Sequence, residues 1–119
     1  MNLIMEEELL SKEWDKLNEI FTAQFGKTPD INAILFLIGV QELGKGKKNF
    51  TKEEKQDLMH IAVCKLLSLS GYYELEGTDS DGWPHWKLVK KLPFLDLTSQ
   101  EKLLKAYILA YFSTETAIL

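Results

Sequence analysis

Three stretches of the chain carry side chains that could do chemistry. Glu53, Asp57, His60 and Cys64 recur at spacings of four, three and four, which places them in one stripe if the segment is helical. His60 and Cys64 are then one turn apart, and an imidazole within reach of a thiol can lower its pKa and create a nucleophile. Asp57 and His60 also have the acid-x-x-histidine spacing of di-iron bundles, but such centres need a second pair and two further carboxylates. The other histidine, His85, has Gly82 three residues before it, so the count fails. No local nucleophile signature accompanies the Cys–His pair, and Cys64 is expected to be a small semi-buried hydrophobe.

The second stretch, Asp79-Ser80-Asp81-Gly82, has the look of the middle of a calcium loop. With Gly82 as the glycine at position six, positions one and twelve fall on Gly77 and Leu88. Both must supply oxygen ligands, and neither does. A weaker divalent site from Asp79, Asp81 and His85 competes with a simpler expectation, in which the aspartates form Asx turns and His85 faces solvent.

The third stretch is Trp83-Pro84-His85-Trp86. Tryptophan joins a large apolar body to one polar donor and is a usual anchor of binding surfaces. These four residues are the candidate binding segment. The competing expectation is that both indoles cover the open end of a helical core. No phosphate loop, Gly-x-Ser-x-Gly, His-Glu-x-x-His or Cys-x-x-Cys occurs. No catalytic residue, metal site or cofactor is therefore assigned.

The elements that must position these residues are well marked. Leu10, Trp14, Leu17 and Phe21 give the first helix one apolar face between about Leu3 and Phe25, and Gly26 is a suitable stop. Thr28-Pro29-Asp30 opens a second helix with threonine as the cap. Its body, Ile31 to Leu43, is apolar on nearly every side, so it is expected to be central and buried all round, with helices one, three and four about it. Gly39 is costly within a helix and predicts the close approach of a neighbour. Thr51 and Glu54 form a capping box for a third helix that runs to about Ser70, before Gly71. Tyr72 to Glu76 and His85 to Val89 alternate at a period of two. They predict a hairpin with Tyr73, Leu75, Trp86 and Leu88 facing inward. A second capping box, Thr98 to Glu101, opens the last helix from about Ser99.

The fold class that follows is mainly α: four helices with a two-stranded antiparallel hairpin between the third and fourth, in the order ααα-ββ-α, as a single domain over residues 1–119. Ile34, Ile38, Leu58, Leu66 and Leu103 are expected in its core. On the last helix, Leu103, Leu104, Tyr107 and Tyr111 define the inward arc, and Leu109 and Phe112 fall outside it. With the apolar tail Ala117-Ile118-Leu119, they form a candidate interface for self-association as a homodimer.

Charge narrows the classes of partner. The chain has 119 residues, 14 basic and 18 acidic, and a net charge of -4. Every basic residue is lysine, so the planar fork that reads guanine and grips phosphate is missing. Residues 57–86 hold five acids against one lysine. One cysteine cannot form an internal disulfide, which fits a reducing, cytoplasmic compartment. The first residues lack the basic and apolar regions of a signal peptide, and the longest uncharged run, Ile31 to Gln41, is too short to span a bilayer. The expected role is a non-catalytic intracellular protein-interaction module, with no membrane or nucleic-acid partner. The runner-up is a winged-helix-like DNA binder, with Lys45, Lys47, Lys48, Lys87, Lys90 and Lys91 as phosphate contacts. Its recognition helix would open on Lys52-Glu53-Glu54-Lys55-Gln56-Asp57, whose acids repel the groove. A small enzyme or metal-binding protein is third.

Overall fold

The computed structural model describes residues 3–45 and 49–114. Gly46, Lys47, Lys48 and the tail Ala117-Ile118-Leu119 lie outside the described residues. The elements are α1 (Leu3–Phe25), α2 (Ile31–Leu43), α3 (Lys52–Ser68), β1 (Tyr73–Thr78), β2 (Pro84–Leu88) and α4 (Leu97–Thr114). This is the mainly helical architecture expected from the pattern, with an antiparallel hairpin between α3 and α4. The chain divides into two compact units, one of residues 30–94 and one of residues 1–29 with 95–119.

In the unit of residues 30–94, α2 and α3 pack closely and the hairpin rests on α3. Asp30, not Thr28, caps α2: its Oδ1 accepts from the Ala33 N–H at 2.8 Å. The hydroxyl of Thr28 is engaged elsewhere, 2.8 Å from that of Thr22. From Ile34 to Leu43 no residue of α2 is exposed, and Ile34 and Ile38 are fully buried. Gly39 meets the backbone of α3: a Cβ there would lie 2.2 Å from the Leu58 carbonyl oxygen. The expected capping box on α3 is complete, with Thr51 and Glu54 satisfying each other's backbone N–H. Leu58, Ala62, Cys64 and Leu66 are fully buried on this helix.

The hairpin pairs Tyr73 with Leu88 and Leu75 with Trp86, then shifts register across Glu76 before Gly77 meets His85. Directly opposed residues share a face, so the four side chains expected inward do lie together. Only Tyr73 and Trp86, one diagonal of the ribbon, are half-buried; Leu75 and Leu88 remain 53% and 48% exposed.

In the other unit α1 packs on α4. Leu17, Phe21, Ile108, Tyr111 and Phe112 form its interior, with Phe21 edge-on to Phe112 at 5.3 Å. Lys102 pairs with Glu7 at 2.9 Å, and the Lys105 ammonium sits 5.4 Å from the centre of the Trp14 ring. Two expectations about α4 need correction. Leu103 is half-buried rather than core, and Phe112 is buried rather than outward. The buried arc of Ile108, Tyr111 and Phe112 is centred roughly 80° round the helix from the arc that Leu103, Leu104, Tyr107 and Tyr111 define, and the two share Tyr111. The helix also starts earlier than expected. Asp96, two residues before Thr98, accepts from the Ser99 N–H at 2.8 Å and supplies the cap. That bond holds the Asp96 carboxyl below the usual carboxylate range.

Candidate functional site

All three candidate stretches contribute to one cleft, of about 340 Å³, within the unit of residues 30–94. Asp57, His60 and Ile61 reach it from α3, and Asp79, Trp83, Pro84, His85 and Trp86 from the hairpin and its turn. All four residues of the candidate binding segment line it. Ile61 was not singled out from sequence, although its spacing of four from Asp57 is the signal that would have found it.

The turn holds this lining in place through Asp79. Its Oδ1 accepts from the N–H of Asp81 at 2.9 Å and of Trp83 at 3.0 Å, and its Oδ2 lies 2.9 Å from His85 Nε2. Gly82, at φ 84, closes the turn by donating to the Asp79 carbonyl at 3.0 Å. The His85 contact, then the Trp83 N–H, hold the Asp79 carboxyl below its usual value of 3.8. The stability it lends is present above that value and is lost as pH falls through the depressed one. Asp79→Ala is expected to accelerate amide hydrogen exchange at Asp81 and Trp83 while leaving Leu66 unchanged. Unaltered exchange at the two turn amides would mean that the carboxylate does not organise the loop.

The same bonds occupy part of the candidate divalent set. Two N–H groups and an imidazole take up the Asp79 oxygens, and the backbone of Asp81 is one of those donors. Among the described residues, no group of three or more His, Cys, Asp or Glu side chains is placed to hold a metal ion.

Cys64 lies beneath His60, with its sulfur 3.5 Å from Nε2. The stripe predicted from spacing therefore exists, but it is split: Cys64 is fully buried while His60 is exposed. Burial pushes the thiol up to about 11, against a smaller lowering by a hydrogen bond with Tyr73. Tyr73 is itself raised by burial and by Cys64. The sulfur is thus a neutral thiol at physiological pH, the reverse of an activated nucleophile. Its contribution to stability is full below its ordinary value of 9.0 and is lost as pH rises through about 11. An aromatic disulfide reagent at pH 8 should label the native protein about tenfold or more slowly than the urea-unfolded chain. Equal rates would show that the thiol is accessible.

Trp83 packs against Leu43, Leu58 and Ile61, so its ring is anchored in the core beside the cleft. The Trp86 Nε1–H is buried without a hydrogen-bond partner, an arrangement that costs about 1–3 kcal/mol. The indoles thus do part of what the bland expectation asked, covering core, while still bordering open space.

Two of the six lysines expected as phosphate contacts in the runner-up reading are engaged within this unit. Lys45 donates to the Asp81 carbonyl. Lys90 donates to the Ser70 carbonyl at 2.8 Å and lies over the Tyr72 ring. Lys47 and Lys48 fall outside the described residues. Leu109, the other candidate interface residue, is half-buried and lines a groove with Leu9, Leu10, Ala106 and Ala110. No helix among the described residues is long and apolar enough to cross a membrane. Comparison of the chain with protein-family models, curated proteins and solved structures gives no match.

Proposed function

We propose that this chain is a non-catalytic protein-interaction module of the cytoplasm, and that it docks its partner at the cleft between α3 and the hairpin. The observation that carries the reading is the pair of tryptophans bordering open space: Trp83 is fixed against the α2–α3 core, and Trp86 lies one diagonal from Tyr73. Rigid aromatic side chains on a pre-formed concavity provide contact area at little entropic cost. The neutral thiol supports a binding rather than a nucleophilic role.

Site-specific photo-crosslinking in cells tests this. A crosslinker at His60 or His85, both exposed on the cleft, should give a discrete protein adduct that a crosslinker at Glu19, on α1, does not. Adducts from Glu19 alone, or none from either cleft position, would overturn the reading.

Self-association is a second reading, favoured by the groove that Leu109 lines between α1 and α4, where Leu9 is 53% exposed. Phe112 has no part in it. A homodimer seated there should dissociate in Leu109→Asp, read by light scattering at micromolar concentration. A monomeric wild-type protein would remove this reading.

A further inference from the structure

We infer that the cleft receives a lysine or arginine side chain from a basic segment of the partner protein, an inference that rests on the cleft being the docking surface. Its lining has two carboxylates, Asp57 and Asp79, two indoles and no lysine. The two histidines apart, the charged side chains of the lining are both carboxylates. Asp57 sits at this cleft with no hydrogen bond or ion pair among the described residues, whereas the Asp79 carboxylate is held by the turn and by His85.

Neither nearby lysine lines the cleft: Lys65 on α3 is paired with Glu42 at 3.8 Å, and Lys45, which keeps its charge, is bonded to the Asp81 carbonyl on the turn. Glu53 lies one turn before Asp57 on the same helix, and the whole stretch of residues 57–86 holds five acids against one lysine. The elements and turn that build the cleft, residues 52–88, hold seven acids against four lysines, so their net charge has the sign of the lining.

The indoles select among cations. A small hydrated ion gains little from an apolar wall. A lysine or arginine carries an apolar stem that lies along the ring and a charged head that reaches the carboxylate. A cation over an indole face is also attracted by the ring itself. The carboxylate of Asp57 and the rings of Trp83 and Trp86 thus suit the two halves of one side chain. An acidic partner would meet like charge in the same cleft.

The test is a titration of the full chain, followed by the three indole N–H signals in nuclear magnetic resonance, with octalysine, octaglutamate and octaproline as probes. Octalysine is expected to shift Trp83 and Trp86 saturably and to leave Trp14 in place. Asp57→Asn should weaken this binding about three- to tenfold, while Glu19→Gln should not. Octaglutamate should shift none of the three. Equal octalysine affinity in Asp57→Asn, or shifts spread over surface acids with both cleft indoles unmoved, would overturn the inference. Saturation by octaproline in place of octalysine would also overturn it, but would leave the cleft as a docking surface. If no probe moves either cleft indole at millimolar concentration, the cationic occupant is excluded. The crosslinks from His60 and His85 then decide the broader reading on their own.

Discussion

Gly39→Ala is expected to destabilise the protein by about 3 kcal/mol. The added methyl carbon would stand 2.2 Å from the Leu58 carbonyl oxygen, 2.6 Å from its carbon and 2.9 Å from the Leu58 Cβ. The first two are backbone atoms of α3, so no rotamer change relieves the clash, and the two helices must move apart. Leu58 and Ile38, both fully buried beside this contact, would lose packing as they did so. Local propensity points the other way, since alanine is favoured over glycine in a helix by about 1 kcal/mol. The sign of the measured change therefore separates local preference from tertiary packing. Gly44 serves as the comparison: its φ is 71°, but an added Cβ would meet open space. Only the left-handed backbone penalises Gly44→Ala, by about 1–2 kcal/mol. Urea denaturation of both variants checks the order. A Gly39→Ala protein as stable as the wild type would show that α2 and α3 do not meet at this residue.

Phe21→Ala should cost about 3–5 kcal/mol. Phe21 is fully buried in the unit of α1 and α4. Its ring stacks on Phe25 at 6.0 Å and meets Phe112 edge-on at 5.3 Å. Truncation removes a large apolar surface and leaves a void beside the buried Leu17 and Phe112. The exposed Ile20, on the adjoining side of the same helix at 45% exposure, gives the contrast. Ile20→Ala should fall within about 1 kcal/mol of wild type. Thermal unfolding followed by circular dichroism distinguishes the two. Similar losses for both would mean that the buried face of α1 is misassigned.

The parts of this fold that were legible in the sequence are those fixed over a few residues. Thr51 and Glu54 form a capping box because both partners lie within one turn. The hairpin was visible because period-two alternation flanks a cluster of turn formers. Gly39 was legible as a close contact because little else explains a glycine in an apolar helix. What was not legible depended on choices the sequence leaves balanced. Leu103, Leu104, Tyr107, Ile108, Leu109, Tyr111 and Phe112 nearly encircle α4, so its pattern has no unique phase, and packing against Phe21 selected Ile108, Tyr111 and Phe112. Thr28 and Asp30 are both good caps, and the choice fell to the one adjoining the first helical residue. The candidate site follows the same rule. Its pieces were recognisable as Asp57–His60 and Trp83–Trp86, but their meeting in one cleft depends on how the hairpin lies on α3, and no short-range pattern records that.

The unit of α1 and α4 is discontinuous, with residues 30–94 inserted between its halves. This sets an order of events during synthesis. The first helix is made early, yet the surface that covers Leu17 and Phe21 is supplied by Ile108, Tyr111 and Phe112, close to the end of the described chain. At about 5–20 residues per second, α1 waits several seconds for its partner, with its apolar face free for a chaperone or for another nascent chain. The inserted unit is under no such delay, because α2 and α3 are consecutive helices whose contacts close only a short loop. The inserted unit should thus reach native packing first, and assembly of α1 with α4 should be the late step, with Phe21 structured only at its end.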